Sequence, residues 1–141
     1  MDALNTLPVR PAMRWVTRVS FVKTIEAGES VSYGRRFTAR QPARIATLPV
    51  GYADGYRRAF SNKACALVHG VRVPVVGSVC MDQTMLDVTG LDVREGDEVV
   101  LLGAQGGQRI TACELADLAD TIPYEIMTGI SQRVPRVWLH G

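Results

Sequence analysis

The 141-residue chain carries 16 lysines and arginines against 14 acidic residues, a net charge of +2, with 47% hydrophobic and 21% charged positions. This is the composition of one globular domain with one core, and it excludes a disordered or fibrous chain. No run approaches the roughly 18 apolar residues of a membrane span, and Met1 to Pro11 lacks the apolar centre of a signal peptide, so a soluble, cytoplasmic protein without membrane association is expected.

In chain order, Trp15 to Val22 alternates with period two and predicts one long strand before the turn Ala27-Gly28-Glu29. Arg44 to Val50 predicts a second strand, and Gly51 to Asn62 a polar loop. Ala64 to Val68 and Val71 to Val76 flank His69-Gly70, a two-residue connection of the kind that closes a hairpin. Thr84 to Val88 and Glu98 to Leu102 predict further strands, followed by a turn at Ala104 to Gly107. Thr111 with Glu114 forms a capping box before a helix from about Ala112 to Asp120. Pro123 suits the first turn of a second short helix reaching Thr128, and Arg133 to Leu139 reads as strand. The expectation is a mostly β domain, barrel-like or Greek-key, with one or two short helices near the C-terminus.

Cys65, Cys80 and Cys113 are odd in number and widely spaced, which fits reduced thiols better than a disulfide framework. With His69 and His140 as the only histidines, no metal cluster is expected. Only Lys23 and Lys63 are lysines; the remaining basic residues are arginines, whose planar fork suits carboxylates and phosphates. Nucleotide-composition bias in the source genome explains that excess more simply. A small RNA-binding barrel is the non-enzyme reading it would support, but aromatics at 6% leave no interleaved stacking platforms, and no nucleic-acid partner is expected.

Three glycine-punctuated segments interrupt the β pattern: SVSYGRRF (Ser30 to Phe37), LPVGYADGY (Leu48 to Tyr56) and PVVGSVCMDQTMLDVTG (Pro74 to Gly90). Turns of this kind carry chemistry more often than packing. Together with GDEVVLLG (Gly96 to Gly103), ITACELADLADTIPYEIMTGIS (Ile110 to Ser131) and QRVPRVW (Gln132 to Trp138), they resemble, in order and identity, the C-terminal domain of the alanine racemase family. The resemblance implies a domain over residues 8–141 and a remnant of a preceding segment in residues 1–7.

Inverting an amino-acid stereocentre requires removing the α-proton from one face and returning one to the other, with an electron sink between. The resemblance implies that pyridoxal 5'-phosphate is this sink, that alanine is the substrate, and that the enzyme supplies D-alanine for peptidoglycan. It makes Tyr33, in SYGR, one acid/base; the other is a cofactor-holding lysine on an N-terminal barrel. A phenol titrates near about 10 in water, so it needs a cationic field to act at neutral pH. Arg35, Arg36 and Arg136 are candidates, and the resemblance favours Arg136.

The resemblance further implies that Tyr52 narrows the substrate entrance, that the Met81 backbone amide meets the substrate carboxylate with Asp82 shaping the loop, and that Tyr124 contacts the cofactor phosphate. Asp54 and Gly55 read as turn formers, and Tyr56 and Arg58 as loop residues. Two departures stand out: Pro123 where the family often has Asn, and Ser78 where it often has Arg, the second removing a charge from the entrance. Neither Lys23 nor Lys63 lies in a cofactor-lysine motif. The chain is therefore expected to be inactive without the barrel, and in the family two subunits pair as a homodimer, the tyrosine of one facing the lysine of the other. A serine or broader-specificity racemase would keep the same motifs.

Overall fold

The computed structural model describes residues 10–139, with the side chain of Tyr33 outside the description. Residues 1–7 and His140 therefore lie outside the described residues. Among the described residues, ten strands, two short helices and three 3-10 turns account for the regular structure, all strand pairs being antiparallel.

The stretch predicted as one strand from Trp15 to Val22 is two: β1 (Trp15–Arg18) and β2 (Phe21–Ile25). At Val19 the chain turns a corner. The Val19 amide still bonds the Asp97 carbonyl at 3.0 Å, whereas the Ser20 amide bonds the Thr47 carbonyl at 2.9 Å, so pairing changes partner between adjacent residues. Alternation reports which face a side chain takes, not which strand lies beside it, and this exchange leaves the pattern intact.

β3 (Ser30–Val31) and β4 (Phe37–Thr38) form a small separate hairpin, and β5 (Ala43–Leu48) ends ahead of Pro49. β6 (Cys65–Val68) and β7 (Val71–Pro74) are joined by His69 and Gly70 at φ 53° and 74°, the doubly left-handed turn that matches strand twist. β8 (Thr84–Asp87) follows, and β9 (Glu98–Gln105) runs three residues beyond its expected end before returning as β10 (Gln108–Ile110). One sheet has the order β1-β9-β6-β7 with β10 also on β9, and another the order β2-β5-β8.

These sheets share one core, in which Leu48, Leu67, Leu86, Leu101 and Leu115 are buried together. They touch through the β1–β2 corner and a single bridge, Val75 to Leu86. No continuous ladder closes, so the expected mostly β fold holds without a closed barrel. Tyr56, read from sequence as a loop residue, is fully buried between Trp15 and Phe60, with ring centroids 5.9 and 4.8 Å away in edge-to-face geometry. A second cluster of Ile25, Val31, Ala43, Ile45 and Val76 lies beneath the β3–β4 hairpin.

α1 (Ala112–Leu118) starts where predicted, with the Glu114 amide donating to Thr111 Oγ1 at 3.1 Å. Only half of the capping box forms. The Glu114 carboxylate instead takes both guanidinium nitrogens of Arg72, at 2.8 and 2.7 Å, a bidentate pairing stronger than a neutral cap contact. α2 (Pro123–Thr128) has the expected bounds. Arg133 to Leu139, predicted as strand, is turn and irregular chain. Pro135 offers no amide to a ladder, and Arg136 gathers the carbonyls of Ile130, Ser131 and Val134, coiling the segment on itself.

Candidate functional site

The SYGR segment forms the tip of the β3–β4 hairpin, where Tyr33–Arg35 make a single 3-10 turn. Three residues here have positive φ: Ser32 at 70°, Gly34 at 80° and Arg35 at 52°. Ser32, with ψ 169°, occupies a region that is essentially reserved for glycine and costs about 1–3 kcal/mol. Neighbouring contacts hold it there. Ser32 Oγ donates to the Ser78 carbonyl at 2.6 Å, and a Cβ on Gly77 would come within 2.6 Å of Ser32 Cβ. Asn62 ties the other side: its Nδ2 donates to the Arg36 carbonyl at 3.0 Å and its Oδ1 accepts from the Gly77 amide at 2.6 Å. The backbone of Tyr33 is thus fixed against the loop that leads into Met81.

The GYADGY turn docks on that same loop. The Tyr52 amide donates to the Cys80 carbonyl at 2.9 Å and the Ala53 amide to the Met81 carbonyl at 3.0 Å. The approach is close enough that a Cβ on Gly51 would sit 2.0 Å from the Cys80 oxygen. Asp54 is the turn former expected, its Oδ2 accepting from the Gly51 amide at 2.9 Å, and Gly55 adopts φ 103°. The Met81 amide, by contrast, donates to no acceptor among the described residues. Tyr52 and Met81 are 43% and 53% exposed, and together with Arg58, Ser78, Val79 and Cys80 they line an open cleft of about 290 Å³. Ser78 is buried, and its carbonyl rather than its side chain serves the hairpin. Arg58 also lines this cleft, so a basic residue remains at it despite Ser78.

Asp82 points away from the cleft wall to Arg133, 2.7 Å from its Nη2, and Arg133 Nε lies 3.4 Å from Asp54 Oδ1. α2 is fastened to the GYADGY turn from below: Arg57 donates to the Glu125 carbonyl at 3.0 Å, the Ser131 amide to the Asp54 carbonyl at 2.9 Å, and a Cβ on Gly55 would reach within 2.4 Å of the Gly129 oxygen. Tyr124, in the first turn of α2, is 62% exposed, and its hydroxyl has no hydrogen-bond partner among the described residues. Its neighbour Glu125 turns its carboxylate to Thr121 Oγ1. Among the described residues Arg136 bonds only neutral carbonyls and pairs with no carboxylate.

The backbones carrying Tyr33, Tyr52, Met81 and Asp82 are therefore one connected unit, with the α2 segment bearing Tyr124 attached to it. Sequence reasoning missed Ser32, Asn62 and Arg133, the residues that connect them. Ser32 and Arg133 lie inside the quoted motifs but were overshadowed by Tyr33 and Arg136; Asn62 carries no local signal. Lys23 is exposed on β2 and Lys63 is exposed in the turn after Phe60. No group of three metal-ligating side chains occurs among the described residues, and no helix of the described residues is long and apolar enough to cross a membrane.

Residues 12–138 match the family model described as alanine racemase, C-terminal domain. The alanine racemase of Symbiobacterium thermophilum is 61% identical over 129 residues, 91% of this chain and 34% of that protein. The crystal structure of alanine racemase from Bacillus anthracis with bound L-Ala-P has a TM-score of 0.93 at 39% identity, covering 99% of this chain and 36% of that one. Alanine racemase from Bartonella henselae with covalently bound pyridoxal phosphate has a TM-score of 0.82 at 34% identity, covering 89% of this chain and 34% of that one. The chain spans about a third of the length of the curated relatives it matches. By sequence and by fold, the chain belongs to the alanine racemase C-terminal domain family.

Proposed function

We propose that this chain supplies one acid/base and one wall of the substrate pocket to a pyridoxal-phosphate-dependent racemase that interconverts L- and D-alanine. The observation that carries this reading is the Met81 amide, which has no acceptor among the described residues and is a fixed donor for a carboxylate, in a cleft whose loop also anchors the SYGR hairpin. Tyr33 is the acid/base; Arg136, with no carboxylate partner among the described residues, favours the phenolate form. Tyr52 restricts the side chain admitted beside Met81, and Asp82 holds the Met81 loop in register through Arg133.

The residues present fit the cofactor's phosphate end: Tyr124 is exposed, its hydroxyl has no partner among the described residues, and the neighbouring carboxylate of Glu125 is turned aside to Thr121. When bound, pyridoxal phosphate supplies the electron sink that acidifies the amino acid's α-proton. The lysine that holds it belongs to a barrel segment, and in the homodimer this domain faces the barrel of the other subunit. The product serves D-alanine supply for peptidoglycan in the cytoplasm.

The test is a racemisation assay on alanine with the chain alone, with pyridoxal phosphate added, and with a relative's cofactor-binding barrel supplied. Activity is expected only in the third mixture. A mixture that binds cofactor yet converts neither enantiomer would overturn the proposal.

A further inference from the structure

We infer that Arg133 is a positioning residue that sets the width of the substrate cleft, and through it the discrimination between alanine and larger amino acids; the inference rests on the racemase function proposed above. Two loops form the walls of the cleft, one presenting Tyr52 and the other Met81. They meet through two backbone hydrogen bonds, Tyr52 to Cys80 and Ala53 to Met81. Arg133 adds a third connection from outside, one guanidinium reaching Asp82 on the Met81 loop at 2.7 Å and Asp54 on the Tyr52 loop at 3.4 Å.

Arg133 and Asp82 are about half exposed, so the clamp acts through the loops it spans and not through the strength of its ion pairs. Asp54 spends its second oxygen on the Gly51 amide at 2.9 Å, so the arginine's pull is delivered to the residue that precedes Tyr52. Asp82 directly follows Met81, so the same guanidinium also sets the peptide next to the unpaired amide. The arginine itself is anchored, because the Ser131 amide bonds the Asp54 carbonyl and Arg136 fixes the carbonyls on either side of it, at Ser131 and Val134. A planar fork can span two carboxylates on separate loops; an ammonium is a point charge and serves one of them well. Losing the clamp lets Tyr52 move away from Met81, which relaxes exclusion of an added methylene while leaving the chemistry at Tyr33 in place.

The experiment compares Arg133→Gln and Arg133→Lys with wild type in the cofactor-loaded full-length enzyme. It measures kcat and KM for alanine and for 2-aminobutyrate, and amide hydrogen exchange at Tyr52 and Ala53. The expected result is a rise of about tenfold in the 2-aminobutyrate to alanine ratio of kcat/KM for Arg133→Gln, a smaller rise for Arg133→Lys, and faster exchange at both amides with β5 unchanged. An equal loss on both substrates in Arg133→Lys, or an unchanged ratio with unchanged exchange, overturns the role given to Arg133 alone. A wild-type enzyme that does not racemise alanine overturns the proposed function, and this inference with it.

Discussion

Ser32 Oγ and the Ser78 carbonyl oxygen, 46 positions apart in sequence, are joined at 2.6 Å, and this bond holds the SYGR hairpin tip on the loop that presents Met81. Ser32→Ala leaves that carbonyl with only the weak Cys80 thiol contact at 3.6 Å. A loss of about 1 kcal/mol in stability is expected from the missing hydrogen bond. A larger effect is expected on turnover, a fall of about 10- to 100-fold in kcat, because small displacements of a positioned catalytic group are amplified. Denaturant unfolding and steady-state racemisation of the full-length enzyme measure the two separately; equal kcat in mutant and wild type would show that the hairpin does not depend on Ser32.

At Gly51 and Gly55 loops touch backbone to backbone. A methyl group at Gly51 would meet the Cys80 oxygen at 2.0 Å, and one at Gly55 would meet the Gly129 oxygen at 2.4 Å in a left-handed conformation. Both Gly51→Ala and Gly55→Ala are expected to destabilise the fold by about 1–3 kcal/mol or more, with Gly55→Ala carrying added strain. Thermal unfolding checks this, and a midpoint unchanged in either variant would mean that the loops separate without cost.

The strands with clear alternation, the His69-Gly70 hairpin and both helices were legible because their signals are local: period, turn residues and caps. The β1–β2 corner was not, because changing a strand's hydrogen-bond partner leaves its inward and outward residues untouched. The segment after Arg133 misled for a related reason, since Val134, Val137 and Trp138 favour strands but have none to pair with. The site residues came from motif resemblance. Their connections through Ser32, Asn62 and Arg133 depend on contacts between distant loops, which no window of sequence contains.

Tyr56 is fully buried, its hydroxyl has no hydrogen-bond partner among the described residues, and burial foremost, with Cys65 and Glu114 adding, pushes its pKa well above the usual phenol value. A folded-state pKa above the unfolded one means stability that is complete below about pH 10 and declines as pH rises beyond it, because only the unfolded chain ionises there. Tyr56→Phe is expected to be neutral or stabilising near pH 7 and to lessen the alkaline decline. Denaturant midpoints from about pH 8 to 11 test both statements. A clear loss of stability at neutral pH would show that the hydroxyl has a partner.

Asp97 responds in the opposite direction. The Arg94 amide first, then the His69 side chain at 2.8 Å, hold its carboxyl below the ordinary range. The resulting stability is present above about pH 4 and is lost as pH falls through the lowered value. Exposure of the pair keeps the effect small. Asp97→Asn is expected to flatten the acid limb of the stability profile, and an unchanged limb would assign it to other carboxylates.

The most direct measurement of the central claim is α-proton exchange in heavy water by full-length enzyme carrying Tyr33→Phe, followed from L-alanine and from D-alanine. The expected result is deuterium incorporation from one enantiomer only, with racemisation reduced by at least about 100-fold, because one face has lost its acid/base. Racemisation in both directions at the wild-type rate would exclude Tyr33 as an acid/base.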